Sequence, residues 1–130
     1  MNASSIDIKD MLITDTTLGL TFAGNLFIGK EPAKPDNTVT IYDTPGFPPM
    51  IGLETKGYEY PSIQIRVRNT TYNGGWVLIE KIKNALHARA QEICNGTLYS
   101  VIYVSSGPAL LDWDDNGNVR FIINFNLQRR

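Results

Sequence analysis

A strict alternation near the C-terminus is the sequence feature that most constrains the fold. Large apolar residues occupy every second position there: Val119, Phe121, Ile123, Phe125 and Leu127. A period of two is the repeat of a β-strand with one buried face. Residues 114–118, with the sequence DDNGN, favour a tight turn, and residues 109–113 before them can supply a partner strand. The pattern therefore predicts a β-hairpin, and a hairpin needs further strands around it.

Four other segments have the composition of strands. They are residues 25–29 (NLFIG), 38–43 (TVTIYD), 62–69 (SIQIRVRN) and 98–104 (LYSVIYV). In the third, Ile63, Ile65 and Val67 alternate with Gln64, Arg66 and Arg68, which predicts one buried and one polar face. The fourth is apolar on both faces apart from Ser100, which predicts a central strand covered on its two sides.

Two segments have the helical period instead. Ser4 or Ser5 can cap a helix of about ten residues, whose apolar stripe contains Ile8, Met11 and Leu12. Residues 75–94 have apolar residues at three- and four-residue intervals, which predicts one helix about 30 Å long. That helix would end at Asn95-Gly96, and Cys94 would lie near its end as a small buried residue.

The predicted order of elements is α-β-β-β-α-β-β-β. Residues 1–130 then form a single α+β domain, with one mixed, mostly antiparallel sheet of about five or six strands flanked by two helices.

The segment between the second and third strands has an unusual composition. Residues 44–57, TPGFPPMIGLETKG, contain three prolines and three glycines, which predicts an extended loop. The loop also contains large apolar side chains, namely Phe47, Met50, Ile51 and Leu53. Two interpretations stay open: these residues pack against their own subunit as a small cluster, or they contact another subunit.

Composition and charge exclude several classes of function. The net charge is -1 and 19% of residues are charged, which leaves no basic footprint for free nucleic acid or a membrane surface. No apolar run approaches the length that crosses a bilayer, so no membrane association is expected. The N-terminus lacks the pattern of a secretory signal, which predicts that the protein stays in the cytosol where it is made.

Candidate catalytic and metal-binding residues are few. The single histidine, His87, lies in the middle of the predicted long helix, which favours a surface or boundary residue over a general base. The single cysteine, Cys94, has no disulfide partner. No phosphate-binding loop, dinucleotide fingerprint or paired cysteine motif occurs. The sequence therefore predicts a non-enzymatic protein with no catalytic residues, no cofactor and no metal.

One motif resembles part of a calcium loop. Residues 112–117, DWDDNG, match the first six positions of the EF-hand loop, but the twelfth position is Ile123 rather than a glutamate. Because a strand follows instead of a helix, turn chemistry between two strands explains the segment better, with weak cation binding as the alternative.

Three segments together resemble the tail terminators of long-tailed bacteriophages, a family of tail-completion or minor capsid proteins. They are NLFIGKEPAKPDNTVTIYDTPG (25–46), YEYPSIQIRVRN (58–69) and DNGNVRFIINFNLQ (115–128). Their shared features are a Pro-x-x-Pro turn, an acidic strand end followed by Pro-Gly, and a strand of the form Gln-x-Arg-x-Arg that a proline opens. With the helix between the second and third segments, the resemblance covers most of the chain.

The resemblance implies a structural role without catalysis or cofactor. It implies a homo-oligomeric ring, commonly a hexamer, that binds the last ring of the tail tube protein and stops tube growth. The ring would also present a surface to the head-tail connector or stopper protein. The chain would then be found in the tail or neck of the virion, and in the host cytoplasm during assembly.

A set of interface residues follows as a hypothesis: Phe47, Met50, Ile51, Leu53, Gln64, Arg66, Arg68 and Trp113. The arginines could meet acidic residues of a neighbouring subunit, or they could belong to a solvated face. Two other functions stay open. One is a head-tail stopper or another neck or connector ring protein, and the other is a small-ligand binding module or weak hydrolase. The latter would show a pocket of roughly 300 Å³ or more with converging polar groups.

Overall fold

The central strands of the sheet are those with the strictest alternation in sequence. A computed structural model of the chain describes residues 1–49 and 57–130. Its strands are β1 (Leu26–Ile28), β2 (Thr38–Phe47), β3 (Tyr60–Asn69), β4 (Arg89–Cys94), β5 (Thr97–Trp113) and β6 (Val119–Arg129). Its helices are α1 (Ser4–Thr14) and α2 (Tyr72–Leu86), with a short 3₁₀ turn at Thr16–Leu18.

The strands form one six-stranded sheet in the order β1-β2-β3-β6-β5-β4. Among the strands of the described residues, β1 and β2 pair in parallel, and the other neighbours are antiparallel. The predicted mixed sheet, the two helices and the α-β-β-β-α-β-β-β order are therefore confirmed.

Both helices contribute to one apolar core on one face of the sheet. The alternating residues of β6 are buried, and β3 pairs with it so that Ile65 lies opposite Ile123 and Val67 opposite Phe121. Ile8 and Leu12 of α1 and the buried stripe of α2 complete this core. The opposite face, which we call the outer face, carries Gln64, Arg66 and Asn124 at half-buried positions.

The second helix is shorter than predicted. It ends at Leu86, and residues 89–94 form the edge strand β4, so the prediction of one helix over residues 75–94 was wrong. Asn95 and Gly96 have φ angles of 51° and 78° and connect Cys94 to its strand partner Thr97. They form the two-residue turn of a hairpin, for which Asn-Gly is the preferred sequence. Cys94 accordingly lies half-buried on a strand and not at a helix end.

The position of the fifth strand also differs from the prediction. β5 lies next to the edge strand β4, whereas β3 and β6 occupy the middle of the sheet. Residues 105–108 do not interrupt it, because register shifts let one strand run from Thr97 to Trp113. The expected loop over residues 44–57 likewise begins later, since β2 continues as far as Phe47.

Candidate subunit interface

A cluster of exposed apolar side chains lies at the end of the β5–β6 hairpin. We call Tyr72, Trp76, Leu110 and Trp113 the tip cluster. Trp113 is 54% exposed and stacks on Tyr72, with the ring centroids 6.3 Å apart. Tyr72 and Trp76 pack edge-on against Phe121, whose strand partner is Leu110. Exposed apolar groups of this size, grouped together, are typical of protein–protein contacts.

A second exposed apolar site lies at the opposite end of the sheet. Phe47, the last residue of β2, is 63% exposed and lies opposite Tyr60, the first residue of β3. The other end of β3, Asn69, pairs with Val119, which pairs with Trp113. The length of β3 therefore separates Phe47 from the tip cluster by about 30 Å.

A depression of about 290 Å³ lies beside Phe47, and Pro49, Tyr60 and Pro61 contribute to its lining. The guanidinium of Arg130 lies 5.0 Å from the ring centroid of Tyr58, close to the start of β3. We call Phe47, Tyr58, Tyr60, Arg130 and this depression the β2–β3 end. The sequence also predicted Met50, Ile51 and Leu53 as interface residues, but they lie outside the described residues.

Gln64 and Arg66 lie side by side on the outer face. The Arg66 Nε donates to the Gln64 Oε1 at 2.8 Å, and the Gln64 amide donates to Asn124 on the neighbouring strand. The guanidinium of Arg66 also lies 5.0 Å from the ring centroid of Tyr42. The predicted polar face therefore exists at these positions and keeps part of its surface open to solvent.

Arg68 is on the same strand but in a different environment. It is 5% exposed and donates to the carboxylate of Glu31 and to the backbone carbonyls of Pro32, Pro35 and Asp36. The contacts of its guanidinium fix the segment before β2 within its own chain. Arg68 is thus a residue of the subunit interior, and only Gln64 and Arg66 of this strand remain as candidates for contact with a neighbour.

The outer face also contains an open cleft of about 680 Å³, lined by residues that include Lys30, Glu31, Arg66 and Arg120. Its volume meets the roughly 300 Å³ or more expected of a ligand site. Several of its charged side chains, however, pair with one another. Glu31 accepts from both Arg68 and Arg120. Burial alone would lower the pKa of Arg120, but hydrogen bonds to Glu31 and Asp112 raise it. Within the cleft, Glu31, Arg68 and Arg120 therefore satisfy one another, whereas Lys30, Arg66 and Asp115 have no ion-pair partner among the described residues.

The residues with catalytic potential are dispersed. His87 is exposed just after α2, and its Nδ1 accepts a hydrogen bond from the backbone N–H of Val104 at 3.0 Å. Burial, with the nearby carboxylates of Asp7 and Asp10, raises the pKa of the Cys94 thiol and disfavours the reactive thiolate. Within residues 1–49 and 57–130, no three acidic, histidine or cysteine side chains come together as a metal site.

The DWDDNG motif forms the turn of the β5–β6 hairpin. The carboxylate of Asp114 accepts from the backbone N–H groups of Asn116 and Asn118 and from the Asn118 side chain. These bonds use the carboxylate for turn formation, which supports the turn interpretation of the motif.

None of the helices in the described part of the chain is long and apolar enough to cross a membrane.

The tip cluster is the part of this surface that sequence reasoning missed, apart from Trp113. Trp76 fits the apolar period of the predicted helix, which does not distinguish it from a core residue, and the structure leaves it 37% exposed. Tyr72 and Leu110 lie outside the alternating patterns. The sequence feature that could have indicated this cluster is the group of large apolar residues Leu110, Leu111 and Trp113 directly before the hairpin turn.

Fold and surface together define a small α+β domain whose exposed apolar side chains suit assembly with other chains. The chain belongs to the bacteriophage tail terminator family: the family model described as "Bacteriophage tail terminator protein" matches residues 6–130. The protein is therefore a structural component of a phage tail, as the sequence resemblance indicated.

A solved structure has the same fold. A chain in a structure described as the virion of a native gene transfer agent particle matches with a TM-score of 0.69 and 11% sequence identity. The match covers 98% of this chain and 94% of the other. No curated protein matches the sequence.

Proposed function

We propose that this chain forms a homo-oligomeric ring, commonly a hexamer in this family, on the last ring of the tail tube. The ring stops tube polymerisation and provides the surface to which the head-tail connector or stopper protein binds. The observation that carries the proposal is that a chain of this family exposes two different apolar sites, the tip cluster and Phe47, at opposite ends of one sheet.

Ring formation has a specific geometric requirement. A closed ring needs heterologous contacts, in which one patch of a subunit meets a different patch of the next. Two apolar sites about 30 Å apart on one rigid sheet meet this requirement. A subunit with a single self-complementary patch would stop at a dimer.

The remaining candidate residues are assigned to the same assembly. Gln64 and Arg66 are proposed to contact polar or acidic groups of a neighbouring subunit or of the tube, because they are the accessible polar side chains of β3. Met50, Ile51 and Leu53 lie three to six residues after Phe47 in sequence, and we propose that they extend its contact.

Two other functions would give results different from those expected of a tail terminator. A head-tail stopper or other neck ring protein would bind portal-side rings and ignore tail tubes. A ligand-binding protein or weak hydrolase would use the outer-face cleft of about 680 Å³. The pairing of Glu31 with Arg68 and Arg120 disfavours the latter, because a ligand would have to displace partners that already satisfy these charges.

The proposal is tested by light scattering and negative-stain electron microscopy of the purified chain, alone and with tail tubes. Rings, or caps on tube ends that fix tube length, support it. A chain that ignores tubes but binds portal or adaptor rings would replace it with the stopper function, and a chain that binds neither would contradict both.

A double variant tests the role of the loop that follows β2. Phe47→Ser with Met50→Ser should weaken assembly while the monomer keeps its circular dichroism spectrum and melting temperature. Ile93→Ser is the matched control, because Ile93 is an exposed apolar residue on the edge strand β4, four strands across the sheet from Phe47 on β2. Normal assembly by the double variant would remove this loop from the proposed contact.

A further inference from the structure

We propose that the contact between neighbouring copies joins the tip cluster of one subunit to the β2–β3 end of the next. In this contact Trp113 of one copy occupies the depression beside Phe47 of the other. This inference rests on the ring function proposed above and names the surfaces that form the ring.

The chemistry of the two sites is matched. Trp113 lies beside the hairpin turn and is more than half exposed, with only one described ring, that of Tyr72, stacked against it. The depression is lined by Phe47, Pro49, Tyr60 and Pro61 together with Thr44, Gly46 and Glu59. Its volume of about 290 Å³ leaves room for one large aromatic side chain. Aromatic residues that fill a pocket contribute much of the free energy of protein–protein contacts.

The charges at the two sites are also complementary. Asp115, in the turn next to Trp113, has no ion-pair partner within 4.0 Å in residues 1–49 and 57–130. Arg130, at the opposite end of the sheet, likewise has no acidic partner among the side chains that the structure describes, and its guanidinium rests on Tyr58. Glu59, which also lines the depression, is already paired with Arg129 at 3.3 Å. A contact between the two ends therefore brings Asp115 towards Arg130, both of which lack an ion-pair partner among the described residues.

The same charges argue against other contacts between copies. Two tip clusters facing each other would bring Asp115 of one copy towards Asp115 of the other, and like charges at an interface are unfavourable. Such a contact would also be isologous and would close at two subunits. A head-to-tail contact avoids the repulsion and can continue until a ring closes.

Engineered cysteines test the contact directly. In a Cys94→Ser background, one variant carries Asn116→Cys at the hairpin turn and another carries Pro49→Cys at the depression. The two are mixed in equal amounts, with and without tail tubes, and oxidised. We expect a disulfide-linked heterodimer in the mixture, at least tenfold more abundant than the disulfide-linked dimer of either variant alone. A mixture in which Gln91→Cys replaces Pro49→Cys is the control, since Gln91 is exposed on the distant edge strand.

A second pair of variants gives an independent measurement. Trp113→Ser loses the inserted side chain and Phe47→Ser loses the receiving site, so neither should form rings alone. In a mixture, the intact Trp113 of one variant can still meet the intact Phe47 of the other, but the resulting heterodimer cannot grow. Native mass spectrometry should therefore detect a one-to-one heterodimer and no larger species.

The outcomes separate this inference from the proposed function. Rings or tube caps without the heterodimer cross-link, or normal rings from Trp113→Ser that fail only to cap tubes, would overturn the inference and leave the ring function intact. Absence of rings and caps in the reduced, unmutated chain with tubes would contradict both.

Discussion

The guanidinium of Arg68 lies 2.6 Å from the carboxylate of Glu31, and only 5% of the Arg68 side chain is exposed. Arg120 on the neighbouring strand reaches the same carboxylate at 3.0 Å. This ion-pair network ties β3 and β6 to the segment before β2, so that corner of the outer face is closed by the subunit itself.

The network should be important for stability. Arg68→Ala leaves the half-buried carboxylate of Glu31 with one partner and several backbone carbonyls without a donor, and removing one partner of a buried pair is strongly destabilising. We expect the free energy of unfolding, measured with urea, to fall by about 3 kcal/mol. Arg66→Ala is the control, with an expected loss below about 1 kcal/mol. Equal losses would show that the Arg68 network has no special role.

A second buried network links the first helix to the last two strands. The hydroxyl of Tyr99 donates to the buried carboxylate of Asp7, and Arg129 donates to the Tyr99 oxygen at 3.3 Å. Tyr99→Phe leaves a buried acceptor without this donor, which should lower the free energy of unfolding by about 1–3 kcal/mol at neutral pH. Tyr103→Phe is the control, because Tyr103 is an exposed tyrosine on the same strand, β5. Stability equal to that of the unmutated chain would contradict this role.

The Tyr99 network also predicts a dependence on alkaline pH. Burial, and then the hydrogen bond to Asp7, raise the pKa of Tyr99 above that of an unfolded tyrosine. Above pH ~10 the unfolded chain loses this proton while the folded chain retains it, so the free energy of unfolding should fall as pH rises. The slope from this group is about 1.4 kcal/mol per pH unit and is absent in Tyr99→Phe. Urea titrations of both chains between pH 9 and 11 measure the difference; parallel curves would contradict the prediction.

Gly46 should tolerate no side chain. A Cβ atom there would lie 1.9 Å from the backbone oxygen of Tyr60, where β2 and β3 change register. Gly46→Ala should therefore displace the β2–β3 end and destabilise the subunit by about 1–3 kcal/mol, as overpacking does. Gly24→Ala is the matched control, since its nearest contact would be 3.4 Å. Thermal unfolding of the two variants gives the comparison, and equal melting temperatures would show that the backbone adapts.

The tip cluster should behave as a surface in the monomer. Trp113→Ser removes an exposed ring and should change the free energy of unfolding by less than about 1 kcal/mol. Phe121→Ala, directly beneath the cluster, should lower it by about 3–5 kcal/mol because Phe121 is fully buried. A large decrease in the free energy of unfolding of Trp113→Ser would show that Trp113 belongs to the core, and it would contradict its role in contacting another subunit.

Local patterns predicted the strands β3 and β6 and the first helix because they report one buried face directly. They assigned the middle of the sheet to residues 98–104, which belong to β5, next to the edge strand. They failed for residues 89–94, where Ala90 and Ile93 happen to continue the helical spacing of α2 although they belong to a strand. Asn95-Gly96 is compatible with a helix end and with a hairpin turn, so only the pairing of β4 with β5 decides between the two.

Local sequence patterns were also insufficient for the candidate interface, because contacts with residues distant in sequence determine which side chains are exposed. Arg66 and Arg68 are equivalent in the alternating pattern of β3, yet one remains accessible and the other is buried. The difference comes from Glu31 and the carbonyls of the preceding segment, more than thirty residues away in sequence. The exposed apolar sites were only partly predictable for a related reason: Trp76 has the spacing of a core residue, and its exposure depends on where the sheet ends.

The most direct measurement is tube elongation in the presence of this protein. Tail-tube subunits are allowed to polymerise, the purified chain is added in amounts that match the tube ends, and tube lengths are measured by electron microscopy over time. Tube elongation should stop after addition of the unmutated chain, and the tube ends should carry caps. Tubes should continue to grow at the same rate when the Trp113→Ser variant is added instead. Tubes that continue to lengthen at the same rate with the unmutated chain would contradict the claim that it terminates the tail.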